Sequence, residues 1–126
     1  MMKDYDELIF NSIKSGQSMS DIGKLLGLTR ARVSQIANRA LRERGLINDE
    51  CKTVREYLHR KRTEMVIDAI WFYWDNFGIP PTQSSLSEYL DMNRAYVSKI
   101  LKELRDNGIV DYDDSKKRSI RLISKG

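Results

Sequence analysis

Three observations predict a mainly α protein with two helix–turn–helix domains, the second ending in a small C-terminal β-hairpin. Apolar residues recur at i, i+3, i+4 and i+7 in several separate segments, the spacing of one buried helix face. The segments are punctuated by Gly16, Gly27, Gly45, Gly78 and Gly108, and Ser18, Thr29, Thr82 and Asn93 stand where helix caps are needed. A repeat is also present. Arg30-Ala31-Arg32-Val33-Ser34-Gln35-Ile36 matches Arg94-Ala95-Tyr96-Val97-Ser98-Lys99-Ile100 at a shift of 64 residues. The expected organisation is a helix–turn–helix domain at 1–48, a helical basic linker at 49–62 and a second domain at 63–126.

Asp4 to Lys14 reads as the first helix, with Tyr5, Leu8, Ile9 and Ile13 inward and Gly16 as its stop. Ser18 with Asp21 gives an S-x-x-D start to the next helix. Ile22, Leu25 and Leu26 mark the inner face of that helix, and Gly27 closes it in the left-handed conformation that lacks a Cβ penalty. Leu28 is expected to be buried in the turn, and the Thr29 hydroxyl to cap the following helix. There Val33, Ile36, Ala37, Ala40 and Leu41 face inward, Gly45 stops the chain and Leu46-Ile47 return to the core. Asn48 to Lys52 reads as a polar break and Thr53 to Arg62 as a short helix with Val54, Tyr57 and Leu58 on one side. Thr63 to Phe77 reads as a separate helix. Its expected stripe is Ile67, Ile70, Trp71, Trp74 and Phe77, with Val66, Phe72 and Tyr73 off it.

After Gly78-Ile79-Pro80-Pro81, Thr82 caps a helix from Gln83 to Leu90 whose inward residues are Leu86, Tyr89 and Leu90. Asp91-Met92-Asn93 is the turn. Arg94 to Asn107 follows, with Val97, Ile100, Leu101 and Leu104 inward and Gly108 as its stop. Residues 109–112 and 118–123 alternate like strands around a tip at Asp113-Asp114-Ser115-Lys116-Lys117. A helix–turn–helix followed by such a hairpin is a winged helix.

The outer face of the helix after Thr29 carries Arg30, Arg32, Ser34, Gln35, Asn38, Arg39 and Arg42. Arg matches guanine bidentately, Gln and Asn match adenine, and all reach phosphates. Thr29 to Arg44 holds five Arg and one Glu, a net of 5 − 1 = +4. In the second domain the corresponding residues are Arg94, Tyr96, Ser98, Lys99 and Lys102, with Lys116, Lys117 and Arg118 on the wing. Overall charge is +4, but unevenly placed: residues 1–62 carry 13 − 8 = +5 and residues 63–126 carry 9 − 10 = −1. Phosphate attraction therefore belongs mainly to the amino-terminal half. The lone Cys51 excludes an intrachain disulfide and fits a reducing cytoplasm. With His59 it offers too few ligands for a zinc site. No cofactor is expected, no Ser/His/Asp or Cys/His set is available for catalysis, and no segment reads as a membrane span or secretory signal.

Residues 18–45 resemble region 4 of primary sigma factors, through Ile22-Gly23, Leu26-Gly27, Thr29-Arg30, Arg32-Val33, Gln35-Ile36 and Arg39-Ala40-Leu41-Arg42. Residues 63–124 resemble the winged-helix domain of LexA-type repressors, through Gly78 with Pro80-Pro81-Thr82, Val97-Ser98, Asn107-Gly108-Ile109 and Arg118-Ser119-Ile120-Arg121-Leu122. MarR-like and replication-initiator winged helices share much of this second pattern. The resemblances imply DNA-reading helices. The LexA-type self-cleaving domain is absent from the sequence, so no self-cleaving switch is expected.

The expected function is sequence-specific binding of double-stranded DNA to regulate transcription, by a non-enzymatic, cytoplasmic protein. Arg30–Arg42 would enter one major groove and Arg94–Lys102 a second. The surplus of large apolar side chains at 63–77 implies a further contact, expected as a homodimer interface, with packing against the first domain of the same chain as the alternative. Two rivals remain: an RNA polymerase-binding, sigma-like interaction module, and a replication or plasmid-partition DNA-binding protein. A small DNA-processing enzyme has least support.

Overall fold

The computed structural model describes residues 2–116 and 118–123, with side chains from Tyr5 onward. Within these lie six helices and two short strands: α1 (Met2–Lys14), α2 (Met19–Leu26), α3 (Arg30–Glu43), α4 (Val54–Phe77), α5 (Gln83–Leu90), α6 (Arg94–Asp106), β1 (Val110–Asp111) and β2 (Arg121–Leu122). The chain divides into two compact units, Met1–Arg62 and Thr63–Gly126.

The first unit closes around Ile9 and Ile13 of α1, Ile22 of α2 and the Val33, Ile36, Ala37 and Leu41 seam of α3. Its caps follow the sequence. Ser18 accepts from the Asp21 N–H, Gly27 takes φ +70, and the Thr29 hydroxyl accepts from the Arg32 N–H at 3.1 Å. Three expected inward residues are exposed instead: Tyr5, Leu8 and Leu25. In α1 the flank of the Ile9–Ile13 seam is taken by Phe10, not Leu8, and the Arg44 guanidinium lies 4.0 Å over the Phe10 ring. In α2 the pair Ile22 and Leu26, one turn apart, fills the inward side and leaves Leu25 outside. Leu28 is half-buried rather than buried.

The expected interruption between Arg62 and Thr63 does not exist. No Gly or Pro lies between Thr53 and Phe77, and α4 runs unbroken for 24 residues. Cys51 is buried, and Val54 and Leu58 belong to the first core. Asn48 folds this stretch by accepting from the N–H groups of Glu50 and Cys51. The Thr53 hydroxyl accepts from the Glu56 N–H at 3.0 Å, and the Glu56 carboxylate accepts from the Lys52 N–H at 3.2 Å, a near capping box.

The second unit is built on Val66, Ala69 and Ile70 of α4, Leu86 of α5 and Val97, Ile100, Leu101 and Leu104 of α6. The seam of α4 is therefore rotated from the expected stripe. Trp71 and Trp74 are part exposed and Phe77 more than half exposed, while Val66 is fully buried and Tyr73 packs on the core. The indole N–H of Trp74 donates to the Ile120 carbonyl at 3.3 Å, which fixes the ring without burying it. Tyr89 is half exposed and stacks on Phe72, ring centroids 5.0 Å apart. Thr82 and Asn93 cap α5 and α6 as expected. The strands are shorter than expected, two antiparallel residues each, Val110 opposite Leu122 and Asp111 opposite Arg121. Side chains take over the loop beyond them. The Ser119 hydroxyl accepts from the Asp113 N–H, and the Asp113 carboxylate accepts from both the N–H and hydroxyl of Ser115.

The repeated positions Gly23 and Ser87 close their turns differently. A Cβ on Gly23 would lie 2.7 Å from the Leu28 carbonyl oxygen, whereas the Ser87 hydroxyl donates to the matching Met92 carbonyl at 2.5 Å. Gly23→Ala is expected to destabilise by about 1–3 kcal/mol through overpacking, although Ala gains about 1 kcal/mol in helix propensity. Urea unfolding checks this. A variant more stable than wild type contradicts the close approach.

Candidate nucleic-acid interface

The exposed face of α3 brings together most of the residues expected to read DNA. Arg30, Arg32, Gln35 and Arg42 are exposed, and Ser34 and Asn38 are half-buried beside them. Thr29 sits at the helix start with its hydroxyl occupied as the cap. The Arg32 guanidinium is 3.4 Å from the Gln35 amide oxygen, and the Arg42 Nε donates to the Asn38 amide oxygen at 2.7 Å. Arg39 differs. It grips the Asp6 carboxylate through both oxygens, at 3.0 and 3.1 Å, and so ties α3 to α1. Arg44 likewise pairs with Glu7 at 2.7 Å.

Beside this face runs a groove lined by Met19, Arg30, Ser34 and Asn38 and, from the start of α4, Thr53, Val54 and Arg55. The α4 residues were not singled out from sequence. Thr53-Val54-Arg55-Glu56, a T-x-x-E helix start carrying a basic residue, was the available signal.

In the second unit α6 exposes Arg94, Lys99 and Lys102. Ser98 is half-buried, and Tyr96 packs partly against the core instead of standing free. Arg94 shares a groove with Thr82, Gln83 and the β1–β2 loop, where Lys116 is exposed. Arg118 donates to the Pro80 carbonyl at 3.1 Å, and Lys117 lies outside the described residues. The Ser115 hydroxyl and N–H, with Lys116 nearby, hold the Asp113 carboxyl below its usual pKa, so the same loop keeps an anion.

A helix-turn-helix family model, described as the Crp-like helix-turn-helix domain, matches residues 56–125. The chain belongs to this family. The Crp-like domain takes in most of α4 together with α5, α6, β1 and β2, and makes this a helix-turn-helix DNA-binding protein. It lies outside α1, α2 and α3. None of the curated proteins compared matches the chain. Among the described residues no helix is long and apolar enough to cross a membrane, and no group of three or more His, Cys, Asp or Glu is placed to hold a metal.

Among the described residues of the Crp-like domain, the buried Tyr112 hydroxyl, beside the Arg94 groove, has no hydrogen-bond partner. Burial pushes its pKa above the ordinary 10.0, while the Arg105 guanidinium, 4.2 Å over the ring, pulls the other way. The folded state therefore favours the neutral phenol. That contribution is present below the unfolded pKa and is lost as pH rises through the raised folded value. Tyr112→Phe is expected to fold as stably as wild type or better at neutral pH, since no hydrogen bond is lost, and to lose less stability above about pH 10. Thermal melts at both pH values check this. A marked neutral-pH loss means that the hydroxyl has a partner.

Proposed function

We propose that the protein is a transcription regulator that binds double-stranded DNA sequence-specifically, through two helix–turn–helix domains of which the second is winged. The observation that carries this reading is the outer face of α3. From Thr29 to Arg42 it presents Arg, Gln, Asn and Ser and no carboxylate, on a helix whose opposite side is the core. In this mechanism α3 enters one major groove and reads base edges with Arg32 and Gln35, and α6 enters another with Arg94, Lys99 and Lys102. The β1–β2 loop is the wing, and its lysines meet phosphate. Arg118, turned to Pro80, braces it. The sigma-like character of residues 18–45 supports promoter DNA as the target, and the role is binding rather than catalysis.

Arg32→Ala and Gln35→Ala should each cost roughly 1–3 kcal/mol on a selected duplex and relax preference at particular bases. Selection from a random DNA pool, repeated with each variant, measures this. Unaltered motifs from both folded variants would remove α3 as the reading head.

The protein also self-associates on this reading, through the aromatic side of α4 and α5. The exposed Phe72 ring touches the exposed rings of Phe77 and Tyr89, and residues 63–93 contain five Asp/Glu and no Lys or Arg. Such a surface repels phosphate and favours a protein neighbour. A second copy brings like charges together at the rim, so added salt should strengthen self-association while weakening DNA binding. Sedimentation of wild type and Phe72→Glu across a salt series tests it. A wild-type mass of 14.7 kDa at every salt concentration leaves the face to another protein, such as polymerase.

A further inference from the structure

The arginines of the first unit divide by what already holds them. Arg39 and Arg44 pair with Asp6 and Glu7. Arg60 donates to the Glu50 carbonyl and Arg62 to the Gly16 carbonyl. Arg32 and Arg42 lean on Gln35 and Asn38. Arg30 and Arg55 have no side-chain partner among the described residues, and both line the groove beside α3.

Arg55 stands out further by its position. It is the second residue of α4, in the first turn, where the helix dipole disfavours a cation by about 0.3–1 kcal/mol in comparable surface settings. Glu56, beside it, occupies the favourable role and satisfies the Lys52 N–H. Packing does not explain Arg55 either, since it is exposed while its neighbour Val54 is buried. An arginine placed against the dipole, unpaired, and facing a groove with a second unpaired arginine is placed for an anion from outside.

We infer that Arg55 and Arg30 together grip one backbone phosphate of the DNA bound by α3, in the groove between α3 and the start of α4. The inference rests on the reading of α3 as a DNA-binding helix and adds a contact which that reading lacks. The groove, about 590 Å³, has room for a phosphodiester and water. Its other polar lining is neutral: Ser34, Asn38 and Thr53. The two guanidiniums carry the charge, and because they come from different elements they fix the register of α3 without reading a base.

The test is anisotropy of two labelled duplexes, one selected from a random pool and one of scrambled sequence, over a salt series. Wild type, Arg55→Ala and Arg55→Lys are compared, with thermal melts of each. Arg55→Ala should weaken both duplexes by a similar factor, roughly three- to tenfold, and reduce the slope of log affinity against log salt by about one. Arg55→Lys should restore most of the slope, and the melting temperature of Arg55→Ala should equal or exceed that of wild type. An unchanged slope in Arg55→Ala overturns the inference while leaving α3 as the reading head. Loss confined to the selected duplex overturns it as well, because the contact is then to a base. If wild type binds neither duplex, the DNA-binding reading fails and takes this inference with it.

Discussion

The outward face of α3 depends on a close backbone approach one helix earlier. The Leu28 carbonyl comes so near Gly23 that only a residue without a Cβ fits, and Val33 packs 3.6 Å from the same point. Gly27, at φ +70, reverses the chain, and Thr29 starts α3 within two residues of that reversal. Val33, Ile36, Ala37 and Leu41 are then locked into the core. Any rotation of α3 lifts one of them out, and burying a Val, Ile or Leu side chain contributes about 1.5–3 kcal/mol. Which side chains face outward is thus decided by the turn and the seam, not by the outward residues themselves.

Electrostatics then sorts those outward residues. The local charge of +4 at residues 29–44 overstates what is free to meet a ligand, because Arg39 and Arg44 are held by acids on α1. Exposed pairs of this kind contribute about 0–1 kcal/mol each, so their main effect is geometric: they pin α1 across α3. Of the other three, Arg30 and Arg32 stand in the first turn of α3 and Arg42 in its last. A count of charge along the chain could not separate the two groups, since the acids that neutralise Arg39 and Arg44 are more than thirty residues away in sequence.

Legibility followed local physics. Caps and stops were readable because each is decided by one or two residues: Ser18, Thr29, Thr82, Asn93 and the glycines all act within a turn of their own position. The seams of α3 and α6 were readable because their polar faces are unambiguous. Helix α4 was not. Its apolar residues surround the helix, so periodicity does not select a side, and the buried seam came out at Val66, Ala69 and Ile70. The break expected before Thr63 had no Gly or Pro to make it, and the helix runs through. Leu8 and Leu25 were exposed because neighbours took their places, a competition that only tertiary packing decides. For the candidate interface, the α3 and α6 faces were visible in sequence. The engagement of Arg39, Tyr96 and Arg118, and the groove at Arg55, depend on chain segments far apart.

The internal repeat shows how one turn geometry supports two unlike outer faces. In the first unit the position inside the turn is Gly23 and the reversal is glycine. In the second, Ser87 donates to the Met92 carbonyl and Asp91 adopts φ +53, a conformation that costs a non-glycine residue but is among the less expensive for Asp. The difference continues outward. Where α3 has the exposed Arg32, α6 has Tyr96, partly drawn into the core, and Gln35 gives way to Lys99. Lysine is a point charge on a flexible stem and reaches phosphate more readily than it discriminates bases, whereas Arg with Gln supplies bidentate groups. The second unit adds a stretch, 63–93, with five carboxylates and no cation, so its cations all follow Asn93 in sequence. On the proposed reading, the duplicated turn, matching seam and divergent surface divide the roles: base discrimination falls to α3, and backbone contact plus protein contact to the second unit.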